Sequence, residues 1–140
     1  MSKKVFGMVF VILISLCVVA PMTAYAIPPV INNPCYQYID SISTDFNIVS
    51  GVAYCYGSAS TNHTDTTTTI TVTLQKRAIG TTYWTAVKSW TNSIEGNLSA
   101  VVNETKNVSS GYNYRLFVWV TITDSDDNVL EGAPMYSQII

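Results

Sequence analysis

The stretch from Val108 to Thr123, VSSGYNYRLFVWVTIT, decides the fold because it carries the strongest β-strand pattern in the chain. Side chains alternate between the two faces of a strand, so one face here is wholly apolar and the other mixes aromatic with polar residues. Such a strand is typical of the middle of a sheet. The predicted core face consists of Tyr114, Leu116, Val118, Val120 and Ile122, and the opposite face consists of Arg115, Phe117, Trp119, Thr121 and Thr123.

A turn cluster at Ser109-Ser110-Gly111 precedes this strand, and Tyr114 follows shortly after it. The spacing resembles the tyrosine corner of immunoglobulin and fibronectin type III sandwiches, in which a Tyr near the start of strand F bonds back to upstream backbone. The core position two residues later is Leu116, where antibody domains have Cys. The spacing therefore predicts a corner hydrogen bond from Tyr114. The alternative is a strand that merely begins with tyrosines.

Residues 1–26 have the composition of a signal peptide. Lys3 and Lys4 form a basic start, Val5–Ala20 is apolar, and Ala24-Tyr25-Ala26 matches an A-x-A cleavage site. The apolar run is shorter than the roughly 20 residues that a spanning helix needs, so a retained anchor is the less favoured interpretation. We expect a secreted, extracellular chain with an extended leader over residues 27–34 and a single β-sandwich domain over residues 35–140.

The charge pattern narrows the classes of partner. All nine acidic residues follow residue 26, whereas two of the seven basic residues lie in the predicted signal peptide. The mature chain is therefore acidic and has no basic cluster in its sequence, which disfavours nucleic acid and anionic membrane surfaces as partners. The abundance of Thr, Ser and Asn is common in exported β-proteins.

Turn signals divide the rest of the chain into strands, and no helical periodicity is present. Ser50-Gly51 predicts a two-residue hairpin that places Cys55 opposite Phe46. Seven short strands at this spacing predict an all-β fold, an antiparallel seven-stranded sandwich of immunoglobulin-like order. The predicted strands are 35–49, with a break near Ser41, then 52–58, 66–75, 83–91, 98–106, 108–123 and 129–140.

Two cysteines, Cys35 and Cys55, remain after removal of the signal peptide, an even number in an oxidising compartment. A disulfide between them would stabilise the fold by roughly 3 kcal/mol in the chain-entropy model. Because the hairpin places Cys55 opposite Phe46, this bridge requires the first strand to bend or the two cysteines to lie in different sheets. Two free thiols, or a bridge to another chain, are the alternatives.

Five phrases follow one another along the chain: Ile42–Thr44, Gly51–Cys55, Thr69–Lys76, Trp84–Trp90 and Gly111–Leu116. Together they resemble a family of small exported proteins of Gram-positive bacteria that is known as a domain of unknown function. The phrases are core and turn patterns, so the resemblance implies the fold and carries over no activity, cofactor or site residue. Cys35 is not part of the pattern.

Residues that could support catalysis or metal binding are sparse. His63 is the only histidine, so any nucleophile–base pair would have to use it, but its Thr/Asn/Asp-rich surroundings predict a solvated loop residue. The run at 124–128, DSDDN, opens like a calcium loop, but Val129 and Met135 stand where an EF-hand requires Gly and Glu. We therefore predict no cofactor, no metal site and no enzymatic activity.

Aromatic residues on the second face of two predicted strands are the candidate binding residues: Tyr54, Tyr56, Phe117 and Trp119. If these faces are exposed, the rings form a platform for sugar rings, peptide or protein; if they are covered, the rings belong to the core. We expect a secreted, non-catalytic binding or cell-surface interaction module whose partner is a protein or carbohydrate at the cell surface. The alternatives are a structural subunit that self-assembles through edge strands, and a small hydrolase or toxin, which the single histidine disfavours.

Overall fold

The computed structural model of the chain describes residues 36–140, and every regular element in that range is a β-strand. Among these residues there is no helix of the length and hydrophobicity needed to cross a membrane. The strands are β1 (Ile39–Val49), β2 (Val52–Thr61), β3 (Thr67–Ala78), β4 (Thr85–Glu95), β5 (Ser99–Asn107), β6 (Tyr112–Thr123) and β7 (Val129–Tyr136).

The seven strands form two antiparallel sheets that pack face to face. The smaller sheet has the order β1-β2-β5 and the larger one the order β4-β3-β6-β7. Hairpins join β1 to β2, β3 to β4 and β6 to β7, while the chain changes sheet after β2, β4 and β5. The predicted antiparallel seven-stranded sandwich is thus confirmed. Constant-type immunoglobulin domains pair the fourth strand with the fifth; here β4 lies beside β3 in the larger sheet.

The core lies between the sheets, and most of its completely buried side chains come from β3 and β6, the two central strands of the larger sheet. The inward residues of β3 and β6 are completely buried, as the alternation predicted, and each such side chain contributes roughly 1.5–3 kcal/mol of hydrophobic stabilisation. Gly57 of β2 lets the sheets approach closely, because a Cβ there would lie 2.6 Å from Val72 Cγ2. The fully buried side chains of the larger sheet are Thr68, Ile70, Val72, Leu74, Leu116, Val118, Val120, Ile122 and Ala133.

The β1–β2 hairpin has the predicted register. Ser50 and Gly51 have positive φ angles of 51° and 78°, the combination that a type I′ two-residue turn requires. Phe46 consequently pairs with Cys55, and both side chains are buried in the core. The register shifts between Ile39 and Ser41, which is the break expected near Ser41.

Strand β2 continues past the predicted end at Ser58 as far as Thr61, so the predicted loop over 58–65 was too long. The extension is stabilised by hydroxyl pairs across the hairpin: Ser43 Oγ lies 2.7 Å from Ser58 Oγ, and Ser41 Oγ lies 2.7 Å from Ser60 Oγ. Small polar residues signal loops in a sequence, but here they form cross-strand pairs on the outer side of a sheet.

Strand β4 also exceeds its prediction, since it reaches Glu95 where a turn was expected from Asn92. Asn92 pairs with Ile70, and its side-chain amide donates to the Val101 carbonyl of β5 at 2.8 Å, which ties the edges of the two sheets together. The turn is confined to residues 96–98, and Leu98, predicted as the first residue of the next strand, is 56 % exposed because it lies in that turn.

A bulge in β4 determines which side chains in and just before this strand face the core. The register with β3 shifts between Leu74 and Gln75, and this irregularity lets both Val87 and Trp90 pack against the core. Trp84 precedes the bulge and lies on the other side of the sheet, where it contacts arginine side chains.

Candidate functional site

Tyr114 occupies the corner position that its sequence context predicted. Its hydroxyl donates to the Ser109 carbonyl at 2.8 Å, and the side chain is only 4 % exposed. The preceding turn is held from the other side by the Val108 amide, which donates to the Gly51 carbonyl at 2.9 Å. The tyrosine therefore has a structural role, because its hydroxyl holds the connection between β5 and β6 in place.

Cys55 is a buried free thiol within the described residues, and burial raises its pKa to about 11. Cys35 and the predicted leader and signal peptide lie outside those residues, so the Cys35–Cys55 bridge stays a prediction. The register of β1 and β2 shows what such a bridge would require of the chain. Ile39, four residues after Cys35, pairs with Thr61, which is six residues along β2 from Cys55. A bridge would require the segment before Ile39 to fold back along the core.

His63 packs at the start of β1. Its Nε2 lies 3.4 Å from the Gln37 carbonyl oxygen, and its ring centroid lies 4.8 Å from that of Tyr38. The imidazole is half-buried against this segment, in contrast to the solvated loop residue that the sequence predicted. Its contacts position the loop between β2 and β3 against the first strand.

Asp124 is the first residue of the calcium-like run, and its carboxylate is turned toward the loop itself. Asp124 Oδ1 accepts hydrogen bonds from the amides of Asp126 and Asn128, each at 2.9 Å. The Asn128 side chain, together with these amides, lowers the pKa of Asp124. An Asp that bonds its own backbone two residues later is an Asx turn, which explains the motif as hairpin geometry.

A polar cleft of about 310 Å³ lies beside this turn. Although several carboxylates border it, no group of three His, Cys, Asp or Glu residues among 36–140 is arranged to hold a metal ion. The residues that line the cleft are Thr64, Asp65, Thr66, Thr67, Glu95, Asp124, Ser125 and Asp127.

Glu131 accepts hydrogen bonds from backbone amides at and just before the start of β1. Its carboxylate accepts hydrogen bonds from Gln37 at 3.1 Å, Tyr38 at 2.9 Å and Ile39 at 2.8 Å. Partial burial by itself would raise the pKa of Glu131, but the three amides outweigh it and hold the pKa below its ordinary value. The carboxylate is therefore a structural link between β7 and β1.

The four predicted binding residues do not form one surface. Tyr54 and Tyr56 lie on the outer face of the smaller sheet, whereas Phe117 and Trp119 lie on the outer face of the larger sheet, on the opposite side of the sandwich. Tyr54 is 49 % exposed and Trp119 is 42 % exposed, while the other two rings are half-buried. The prediction of a single binding face was wrong, because alternation along a strand does not say which sheet the strand joins.

On the smaller sheet the tyrosines stand among polar residues. Tyr54 pairs with Asn47 and Thr105, and Tyr56 pairs with Asp45 and Asn103. The ring-to-ring contacts found in the described part of the chain involve neither of them. This surface offers isolated rings and no cluster.

On the larger sheet the rings are grouped, and we call the set Trp84, Phe117, Trp119 and Tyr136 the aromatic face. Phe117 pairs with Tyr136 across β6 and β7, with ring centroids 5.0 Å apart. Tyr136 is 51 % exposed. Trp84 comes from the connection before β4, and Arg115 lies between it and Tyr136, with Cζ 4.2 Å and 4.4 Å from the two ring centroids. A second arginine, Arg77, has Cζ 4.7 Å from the Trp84 ring.

Trp119 has a packing role as well as an exposed surface. It pairs with Pro134, and its ring extends over the neighbouring Gly132, where an added Cβ would lie 3.1 Å from Cζ2. An aromatic ring laid over an edge-strand glycine shields backbone that has no side chain of its own. Part of the indole nevertheless remains open to solvent.

Hydroxyl groups continue this surface toward β4. Thr69, Thr71 and Thr73 of β3 pair with residues of β4 through hydroxyl–hydroxyl bonds of 2.8, 3.0 and 2.9 Å. The outer face of the larger sheet is thus aromatic and cationic on one part and hydroxyl-lined on the other. The β4 partners in these bonds are Ser93, Thr91 and Ser89.

Trp84, Tyr136, Arg77 and Arg115 were missed as site residues by the sequence analysis. Tyr136 could have been placed from the β6–β7 hairpin, because the DSDDN turn fixes Phe117 opposite it. Trp84 had no such signal. It lies before the start of β4, and its ring contacts arginines that come from two different strands, β3 and β6.

Comparisons with known proteins leave the family open. No protein-family model and no curated protein matches the chain. Among solved structures it is similar to a selenomethionine-labelled beta-glucosidase from Kluyveromyces marxianus, with 11 % sequence identity and a TM-score of 0.38. The similarity covers 69 % of this chain and 14 % of the other, so this chain spans a small part of that enzyme's length.

Proposed function

We propose that this chain is a secreted, non-catalytic binding module that attaches to a cell-surface partner through the aromatic face. The observation that carries the proposal is the grouping of four aromatic residues on one outer face, two of them, Trp119 and Tyr136, strongly exposed. Exposed rings of this kind are enriched at recognition surfaces because they contribute contact area at low entropic cost. The signal-like sequence of residues 1–26 supports export.

A non-catalytic role is supported by what the candidate acid–base residues do. His63 packs against Tyr38, Asp124 accepts hydrogen bonds from its own turn, and Glu131 accepts hydrogen bonds from the amides of residues 37–39. Each of these side chains already has a structural partner, and within residues 36–140 none of them shares a hydrogen bond with a Ser, Thr or Cys side chain.

The alternative of a subunit that self-assembles through its edge strands is less well supported. Strand β7 carries Pro134, which lacks an amide donor, and β4 carries a bulge beside Val87. Strand β5 exposes Glu104 and Lys106. These are the features by which natural sheets prevent edge pairing, so we expect a monomer in size-exclusion chromatography with light scattering.

To test the proposal, the purified mature protein is mixed with isolated bacterial cell envelopes, the envelopes are sedimented, and the fraction of protein retained on them is measured. We expect Tyr136→Ala and Trp119→Ala to reduce the retained fraction severalfold. The matched control is Tyr54→Ala, which removes an equally exposed ring from the opposite face and should leave retention unchanged. Equal retention of all three variants, or loss only with Tyr54→Ala, would contradict the proposal. Circular dichroism melts are the control that each variant is folded.

A further inference from the structure

The two arginines beside the aromatic face have no carboxylate partner among residues 36–140. Arg115 donates from Nε to Gln75 Oε1 at 2.8 Å, and the buried Nε of Arg77 has no hydrogen-bond partner in that range. Their positions are fixed by the rings of Trp84 and Tyr136, against which the guanidinium groups lie. A guanidinium donates hydrogen bonds in its own plane, so contacts with its faces leave its terminal N–H groups able to bind an anion.

This placement concentrates positive charge in an acidic chain. The described part contains five basic residues, and two of them, Arg77 and Arg115, lie on the outer face of the neighbouring strands β3 and β6. Lys76 precedes Arg77 on β3 and therefore points to the other side of the sheet, where its Nζ lies 4.5 Å from the centroid of the Tyr112 ring, so it is not counted with them. Cations that are ordered without an acidic neighbour complement an anionic ligand.

The shape of the surface favours a polysaccharide over a peptide. An extended peptide adds to an open sheet edge, whereas these residues lie on the flat outer face of the sheet. Flat rings such as Phe117 and Tyr136 pack against the apolar faces of sugar rings. Arg115 Cζ lies only 4.4 Å from the Tyr136 centroid, so an anionic group carried close to the ring of a sugar stacked there lies within reach of the guanidinium.

We infer that the aromatic face binds an acidic polysaccharide whose uronic carboxylates are received by Arg115 and Arg77. This inference rests on the proposed binding function of the same face and adds the ligand class. Sugar rings stack on Tyr136 and Phe117, and a carboxylate one carbon from the ring reaches the terminal N–H groups of Arg115. A planar guanidinium matches a carboxylate with two parallel hydrogen bonds.

The experiment compares binding of polygalacturonate with binding of its methyl ester by isothermal titration calorimetry and affinity electrophoresis. We expect the acid form to bind and the ester to bind at least about tenfold more weakly, since each charge-assisted hydrogen bond contributes substantially to affinity. Arg115→Gln should weaken binding of the acid form by about tenfold or more. Arg115→Lys should restore only part of the loss, because it keeps the charge without the planar fork.

The matched control is Lys106→Gln, which removes the same charge from the exposed edge of the smaller sheet. Equal losses for Lys106→Gln and Arg115→Gln would indicate non-specific attraction and overturn the inference. Equal binding of acid and ester would also overturn it, and so would failure of both polymers to bind. The envelope-depletion experiment then separates the two ideas: if envelopes still retain the protein through Tyr136, the proposed function stands and only the acidic ligand class is rejected.

Discussion

Glu131 Oε2 accepts a hydrogen bond from the Ile39 amide at 2.8 Å, which joins the last strand of the larger sheet to the first strand of the smaller one. On the opposite side of the sandwich, the Asn92 side chain donates to the Val101 carbonyl. Each lateral opening between the sheets is therefore closed by a side chain bonded to backbone. Such bonds satisfy edge groups that the sheets themselves leave unpaired.

The Glu131 link predicts a pH dependence of stability. The amides hold the pKa of Glu131 in the folded chain below its ordinary value of 4.5, so the carboxylate stabilises the fold above that pH. This contribution is lost as the pH falls through the folded-state pKa. We expect Glu131→Gln to lower the free energy of unfolding by about 1 kcal/mol near neutral pH, a modest value because the group is partly exposed.

The measurement is urea unfolding of both proteins across the acidic range. The difference between wild type and Glu131→Gln should shrink as the pH falls below about 4.5, where the wild-type carboxyl becomes neutral. Glu104→Gln, on the exposed edge strand, is the control that removes a carboxylate without removing the link. A gap that stays constant with pH would contradict the role of the charge.

Tyr114→Phe tests the corner between β5 and β6. The substitution removes only the hydroxyl of a buried side chain, and the Ser109 carbonyl loses the hydrogen bond that it accepts. We expect the free energy of unfolding to fall by about 1 kcal/mol or more. Tyr112→Phe, at a 39 % exposed residue two positions earlier, should be close to neutral in the same denaturant titration. Equal effects of the two substitutions would mean that the corner bond adds no net stability.

The fold was predictable because its strands carry period-two patterns and its turns carry specific residues. Ile70, Val72 and Leu74 alternate with threonines, and Ser50-Gly51 fixes one hairpin register. Both signals are local, so they can be recognised in a short stretch of sequence without knowing which strands become neighbours. The corner at Tyr114 is local as well, since the hydroxyl reaches only five residues back along the chain.

The candidate site was less predictable because it depends on which strands become neighbours. Phe117 and Trp119 were identified from their own strand, but their partners Tyr136 and Gly132 come from the next strand, and Trp84 comes from the connection before β4, which is two strands away from β6 in the sheet. Alternation placed Tyr54 on an outer face without revealing that it was the opposite one. Contacts between non-local elements are set by sheet order, which no single strand encodes.

Cys55 should be protected from alkylation in the folded chain. The thiolate is the reactive form, and burial raises the pKa of the thiol to about 11 from an ordinary 9.0, which lowers the reactive fraction about a hundredfold near neutral pH. Burial also blocks access of the reagent. In reducing buffer we expect iodoacetamide to modify the Cys55 peptide only after addition of denaturant, as followed by mass spectrometry. Rapid modification of the native protein would show that the strand opens locally.

The same digest, made without reductant, tests the predicted disulfide. A bridged chain yields a peptide that joins Cys35 to Cys55 and a melting temperature that falls by several degrees on reduction. Peptides with separate thiols and an unchanged melt would refute the bridge.

Gly57→Ala tests how closely the two sheets are packed. The added methyl group would lie 2.6 Å from Val72 Cγ2 and 3.3 Å from Ile70 Cδ1, well inside ordinary contact, and both neighbours are completely buried. We expect a loss of about 1–3 kcal/mol in the free energy of unfolding, because a filled core absorbs an extra carbon only by shifting side chains. In the double variant with Val72→Ala the space for the methyl group is restored, so its loss should be smaller than the sum of the two single losses. Additive losses would show that Gly57→Ala acts through the backbone of β2 and not through the contact between the sheets.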